Sequence, residues 1–315
     1  MELLHDHQQV VEQVIKNELA EGCLAIERMT TGSCNEVYRV QLPSRTVIVR
    51  LNEDVSKMIG SEKHIPLFRE RGIVVPEVIA SDYSKTVVPF GYQIQTLLPG
   101  QDLRDVVSKL SESQLAAIAK EVAHIWQSLQ DIPTNGKFGW VGPDSPQLYD
   151  SWTDLMRSMV NDVQERNAKT GVVGDKYLEV ADDLLKRYQT YFDGVPSTFY
   201  YDDMSSKNVM IADGKFVGLV DLDTMEYGDP LDCIGRIEAS WYGTPYGKTY
   251  TEAVITELQL SASQRGMVIV YALLNRIFWL SEKGIQFNQN TSSEIDQKTV
   301  SEDKKVIDDL IAALG

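Results

Sequence analysis

Apolar positions recur along this chain with two different spacings, and the dominant spacing switches more than once. Residues 8–20, QQVVEQVIKNELA, repeat at the helical interval and predict a short amphipathic helix. Three strand-like runs follow, LAIERMT (24–30), EVYRVQL (36–42) and TVIVRLN (46–52), with turn signals at Thr31-Gly32-Ser33 and Pro43-Ser44 between them. Residues 55–71 return to helical spacing, interrupted by Pro66 and ended by Gly72. VPEVIA (75–80) and GYQIQTLL (91–98) are read as further strands, and LPGQDL (98–103) breaks the pattern at Pro99-Gly100. Beyond it helices are expected at 103–109, 112–130, 150–168 and 173–192, with Ser111 or Ser113 capping the second. Strand patterns return only around 197–220, in TFYY, NVMIA and KFVGLVDL, and helices run from 230 to the end. This order predicts an α+β chain of two unequal lobes, a small β-rich one over 1–98 and a larger, mostly helical one over 99–315, with a ligand site where they meet.

The bulk numbers narrow the function classes. Hydrophobic residues make up 43% and charged residues 24% of 315, ordinary for a globular protein. Lys and Arg number 30 against 46 Asp and Glu, a net charge of −16, which argues against a nucleic-acid partner. The same acidity suits either a cationic small molecule or plain solubility. The start, MELLHDHQQV, has no basic flank or long apolar core of a signal peptide, and MVIVYALL (267–274) is far short of a membrane span. Cys23, Cys34 and Cys233 are scattered, and the four histidines stand apart from them, so neither a disulfide framework nor a zinc site is expected. A cytoplasmic location is the corresponding expectation.

The densest polar arrangement lies in FYYDDMSSKNVMI (199–211). Asp203 and Asn208 are separated by four residues; an apolar strand precedes them, a hairpin follows, and Asp221 closes KFVGLV. Asp, four residues, Asn, hairpin, Asp is the pattern of a kinase catalytic loop and metal loop. Phosphoryl transfer needs one carboxylate at the acceptor hydroxyl, and an amide oxygen and a second carboxylate holding magnesium against the phosphates. The turn TTGSCNEVY (30–38) can cover phosphates with backbone N–H groups, although its single Gly32 also suits an ordinary hairpin turn. Arg50 ends TVIVR where a kinase strand carries its phosphate-pairing lysine, and Glu62, alone between Asp54 and Glu70, is its expected ion-pair partner.

The segments TGSCNEVYRV, VIVRLN, VVPEVIA, LLPGQDL, FYYDDMSSKNVMI and GLVDLDTMEYGDPLDCI follow the order of the aminoglycoside phosphotransferase and choline kinase superfamily, which the chain resembles over about residues 20–245. GKFGWVGPDSPQLYDSWTDLM (136–156) is similar to the matching region of hygromycin B phosphotransferase-like members. The resemblance implies a bilobal protein-kinase-like fold and an ATP- and Mg2+-dependent transfer to a small-molecule hydroxyl, with GTP as the alternative donor. It implies Asp203 as catalytic base and Asn208 and Asp221 as magnesium ligands. It places Arg50, paired with Glu62, and the turn residues Ser33 and Asn35 at the phosphates, and backbone groups around Gln95 and Leu97 at the adenine. Tyr201 and Asp202 depart from the family's usual His-Gly before the base. Asp202 then either raises a carboxyl pKa at the site or faces away from it.

The acceptor stays open between an aminoglycoside-type antibiotic, a choline-like amino alcohol and a sugar, and a catalytically silent nucleotide-binding scaffold is the competing class. For a cationic acceptor, Asp202, Asp232 and Glu238 are the candidate acids and Trp241 and Tyr242 a candidate aromatic wall, which at helical spacing also fits the core. Asp223 is a candidate further metal ligand, and Asp229 a cap for the helix opened by Pro230. Monomer and homodimer are equally compatible with the sequence.

Overall fold

The computed structural model describes residues 7–30, 32, 34–142, 148–287 and 290–314. Helix α1 (Gln8–Leu19) buries Val11, Val14 and Ile15 along one face, the spacing that a 3.6-residue turn brings together. That face covers an antiparallel sheet of β1 (Ala25–Met29), β2 (Glu36–Gln41), β3 (Thr46–Asn52), β4 (Val78–Asp82) and β5 (Gly91–Thr96), in the order β1-β2-β3-β5-β4. Tyr38, Val40, Val47, Val49, Tyr92 and Ile94 complete this first core.

The expected helix over 55–71 is two pieces: a 3₁₀ turn at Val55–Lys57, capped by Asp54, and α2 (Gly60–Glu70). The division falls before Gly60, and α2 runs on through Pro66. Gly60 explains the placement. A Cβ there would stand 1.8 Å from the Asp223 carbonyl oxygen, so only glycine lets α2 begin against that segment.

The remainder comprises β6 (Gln101–Asp102), α3 (Leu103–Val106), α4 (Glu112–Leu129), β7 (Gly139–Val141), α5 (Trp152–Thr170), α6 (Asp175–Arg187), α7 (Gln189–Asp193), β8 (Thr198–Tyr200), β9 (Val209–Ala212), β10 (Lys215–Leu219), β11 (Met225–Gly228), α8 (Leu231–Trp241), α9 (Gly247–Glu257), α10 (Ala262–Ser281) and α11 (Gln297–Leu314). Ser111, of the two candidate caps, starts α4 in a reciprocal pair with Gln114. The helix expected over 173–192 breaks at Tyr188 into α6 and α7. A second, larger apolar core fills this region around α4, α8 and α10, and it also takes in Ile65 and Phe68 of α2. A β-rich N-terminal region thus joins a mostly helical C-terminal one, the expected fold class.

Two small sheets position the polar loop. β9 and β10 form a hairpin whose turn residues Asp213 and Gly214 both have positive φ, +50° and +73°, as a tight hairpin turn requires. β6 joins β9 on its other side. β11 lies between β7 and β8. The chain therefore leaves β8, forms the loop 201–208, turns through β9 and β10, and returns past residues 221–223 to lie beside β8 again.

Candidate active site

Tyr201 stitches the loop to the returning segment. Its ring is buried, and its hydroxyl approaches the carbonyl oxygens of Val220 (3.0 Å) and Asp221 (2.9 Å) as donor while accepting from Asn208 Nδ2 (3.0 Å). Asn208 Nδ2 also donates to the Asp203 carbonyl at 2.9 Å, and the Val220 amide donates to the Asn208 carbonyl at 3.0 Å. Asp203, Asn208 and Asp221 are thereby held in one hydrogen-bonded unit. Asp221 has φ +65°, a left-handed conformation that Asp tolerates better than most side chains. Its side chain remains 47% exposed.

Asp202 is turned toward Arg236 of α8, whose Nη1 lies 3.0 Å from Asp202 Oδ2, while Nη2 lies 3.6 Å from Asp203 Oδ1. One guanidinium thus serves both adjacent carboxylates. Burial raises the Asp202 carboxyl above the usual range, against the pull of Arg236, and its Oδ1 has no hydrogen-bond partner. Asp203 goes the other way. Burial pushes it up, but Arg236, Lys207 and a 2.8 Å hydrogen bond from Ser205 Oγ outweigh that and hold it below the usual range. Glu226 and Asp232 complete a buried acidic group around Arg236. Burial, with the neighbouring acids, raises Glu226 well above the carboxylate range and Asp232 to about 7. Arg236 did not emerge from the sequence, where an arginine on an amphipathic helix looks solvated. The signal for it was Asp202, an added carboxylate needing a counter-charge.

On the sheet side, Arg50 of β3 is 5% exposed, and a charge so desolvated requires partners. They are Asp223, met by both guanidinium nitrogens, with Nη1 2.8 Å from Oδ1, and Asp221 at 3.1 Å. The expected Arg50–Glu62 ion pair is not formed. Arg50 faces the segment 221–223, and Glu62 is reached only through a relay. Arg50 Nη1 donates to Gln93 Oε1 (3.4 Å), Gln93 Nε2 to the Tyr83 hydroxyl (2.5 Å), and that hydroxyl to Glu62 (2.9 Å). Gln93 is the cross-strand neighbour of Arg50, which accounts for the first contact. Asn35 is buried and donates to Asp223 Oδ2 at 2.8 Å, tying the turn before β2 to the same carboxylate. Gln95 donates to Gln93, and Leu97 follows the end of β5 half-buried. Ser33 and Thr31 lie outside the described residues.

The donor set fits a magnesium ion held jointly with phosphates. Both amide hydrogens of Asn208 are engaged, which presents Oδ1 as an acceptor, and the half-exposed Asp221 supplies a carboxylate. Among the described residues no group of three or more His, Cys, Asp or Glu forms a cage, and magnesium bound by phosphates needs none. Asp223, wholly taken up by Arg50 and Asn35, orients these groups.

Several candidates for acceptor binding belong elsewhere. Asp202 and Asp232 are buried, the latter on Asn275 (2.9 Å), and Trp241 is packed edge-on against Tyr246 and Tyr250. Asp229 accepts from the Leu231 amide at 3.0 Å as a helix cap, and also from Tyr191 and Tyr271. A cavity of about 410 Å³ instead opens at the end of α10, lined by Arg276, Trp279, Glu282, Lys283, Phe287 and Asp303 among others. Trp279 of its lining has the Arg236 guanidinium 5.9 Å from the centre of its ring, and Arg236 in turn meets Asp202 and Asp203.

Among the described residues no helix is long and apolar enough to cross a membrane. Aminoglycoside phosphotransferase APH(4)-Ia has a similar structure, with a TM-score of 0.72 at 16% identity, covering 98% of this chain and 100% of that one. A thermostable mutant of it, in a ternary complex with AMP-PNP and hygromycin B, gives 0.70 at 17% identity, covering 96% and 98%. A putative fructosamine-3-kinase from Haemophilus somnus 129PT gives 0.64 at 15% identity, covering 95% and 96%. At such identities the likeness is one of fold. No match is found among the curated proteins. The model of the phosphotransferase enzyme family matches residues 25–252, from β1 through the loop 201–208 and into α9, and this chain belongs to that family.

Proposed function

We propose that this enzyme transfers the γ-phosphoryl group of ATP to a hydroxyl of a small molecule at Asp203, with GTP as the alternative donor. The observation that carries the proposal is the single hydrogen-bonded unit of Asp203, Asn208 and Asp221, opposite the buried Arg50. Asp203 meets the acceptor hydroxyl, orients it and takes its proton. Its lowered pKa makes it a weak base, which suits a loose transition state in which the proton leaves late. Asn208 Oδ1 and Asp221 would hold Mg2+, which supplies charge neutralisation at the phosphates. Arg50 and the turn containing Asn35 and Ser33 would face the phosphates, with Glu62 acting through Tyr83. The adenine would meet backbone groups around Gln95 and Leu97. In this proposal residues 1–98 form the nucleotide lobe and 99–315 the catalytic and acceptor lobe.

The cavity beside Trp279 is the proposed acceptor site. Arg276 and Lys283 both pair with Asp303, and Glu282 has Arg166 at 4.0 Å, so Glu294 and Asp296 leave its lining acidic. That acidity favours a polyhydroxylated cation of the aminoglycoside type over a neutral sugar. Substituting Asp203→Ala is expected to abolish transfer from radiolabelled ATP across a panel of aminoglycosides, amino alcohols and sugars, while Mg-ATP binding persists. Transfer at the wild-type rate overturns the assignment.

A further inference from the structure

Lys207 has no part in the chemistry set out so far. It directly precedes Asn208, and its ammonium stands 3.2 Å from Asp203 Oδ2. Its charge acts on Asp221 as well. The two oxygens of Asp203 are used differently: Ser205 (2.8 Å) and Arg236 (3.6 Å) hold Oδ1, whereas Lys207 is on Oδ2. The Lys207 side chain is 41% exposed against 19% for Asp203, so it approaches from the open side of the site. An ion pair four residues apart is commonplace on a helix surface and contributes little there. Residues 203–207 are not a helix but the proposed catalytic loop, and this ammonium sits on the proposed base within electrostatic reach of the proposed metal ligand. A γ-phosphoryl group in flight from ADP to an acceptor at Asp203 crosses that same space.

We propose that Lys207 is a catalytic residue that exchanges partners: it rests on Asp203 Oδ2 in the nucleotide-free enzyme and moves to a γ-phosphoryl oxygen when ATP binds. The inference rests on the phosphotransferase reading above. The exchange does two things. It uncovers Oδ2 for the acceptor hydroxyl, and it brings a cation to oxygens whose charge shifts during transfer. In the step itself the acceptor oxygen forms the new bond to phosphorus. The bond from phosphorus to the β,γ-bridging oxygen breaks and its electron pair leaves with ADP. The hydroxyl proton passes to Asp203 Oδ2, and Lys207 stays protonated throughout. The four-carbon stem of lysine permits such a movement, and Ser205 and Arg236 keep the Asp203 carboxylate oriented when Lys207 leaves it.

The test compares Lys207→Met and Lys207→Arg with the wild type, each first shown to be folded by circular dichroism and thermal melting. Calorimetric titration with Mg2+ and either a non-hydrolysable ATP analogue or ADP reads the γ-phosphoryl contact without any acceptor. The Met variant is expected to bind the analogue about tenfold more weakly and ADP within about twofold of wild type, the size of one charge-assisted hydrogen bond. The Arg variant keeps most of the difference. With an acceptor, kcat of the Met variant falls about a hundredfold while the acceptor KM stays near wild type. Equal effects on analogue and ADP, or no effect on either, overturn the proposal. If the Met variant does not fold, Lys207→Gln carries the same comparison. Asp203→Ala keeps the two levels apart: transfer surviving that substitution refutes the assignment of the base, while the analogue-to-ADP comparison still judges Lys207.

Discussion

Replacing Tyr201 by Phe removes one oxygen atom from the centre of the site. The ring itself stays, with its edge-to-face contact to Phe68 at 6.1 Å between centroids, so no sizeable cavity opens. What is lost is a donor to the Val220 and Asp221 carbonyls and an acceptor for Asn208 Nδ2. Asn208 Nδ2 keeps its bond to the Asp203 carbonyl. Two buried hydrogen bonds at about 1 kcal/mol each, with a modest addition for groups left unsatisfied, give a loss of about 2–3 kcal/mol. Urea denaturation reads this as a lower midpoint at unchanged slope. The catalytic consequence is separate. The hydroxyl aligns both proposed magnesium ligands, and losing a partner of that kind typically weakens a metal site by about 10–100-fold. The Mg2+ concentration for half-maximal activity should therefore rise at least about tenfold. A variant that loses stability yet keeps the wild-type Mg2+ requirement refutes the claim that Tyr201 organises the metal ligands.

Two further outcomes are expected. Arg236→Met strands Asp202 and its acidic neighbours without their cation and should destabilise the fold by about 3–5 kcal/mol. Adding Asp202→Asn should restore part of that loss, and a double-mutant cycle that comes out additive contradicts the pairing. His64 is buried with Nδ1 2.9 Å from the Leu222 carbonyl, and burial holds its pKa below the ordinary value of about 6.5. Between that value and the lower folded one, the unfolded chain binds a proton that the folded chain refuses, so stability falls as pH drops below about 6.5. Urea midpoints at pH 7 and pH 5 should differ more for the wild type than for His64→Asn, and equal differences rule out this contribution.

The sequence showed the site where its information is local. Asp203, Asn208 and Asp221 lie within 19 positions, joined by a hairpin whose Asp213-Gly214 turn admits few alternatives. Arg50 was visible as a strand-terminal cation, but its partner was not. Asp223 is 173 positions away, whereas Glu62 is the one acid between Asp54 and Glu70 on the helix that follows β3. The strands β6, β7 and β11 were not expected because their two to four residues lack the continuous apolar runs that mark β8 and β9, and each exists only through a partner distant in sequence. Arg236 was hidden for a different reason. Amphipathic spacing predicts which face of α8 is buried, but not that a half-buried position at its edge holds a charge answering Asp202.

Helix α2 has divided allegiance, and this decides where the molecule can bend. It and the turn before it are bound to the five-stranded sheet by polar links, Gln93 to Ser61 (2.8 Å) and to the Met58 carbonyl (3.1 Å). Its Ile65 and Phe68 are sunk in the core of the helical region, and its Gly60 abuts Asp223. Water can replace the polar links at about 1 kcal/mol each, whereas exposing two large apolar side chains costs roughly 1.5–3 kcal/mol apiece. The weaker fastening therefore runs between β3 and α2. On one side of it the sheet carries Arg50, and on the other α2 lies against Asp223. The Arg50 ion pairs to Asp221 and Asp223 cross that line, so any separation of its two sides has to break them.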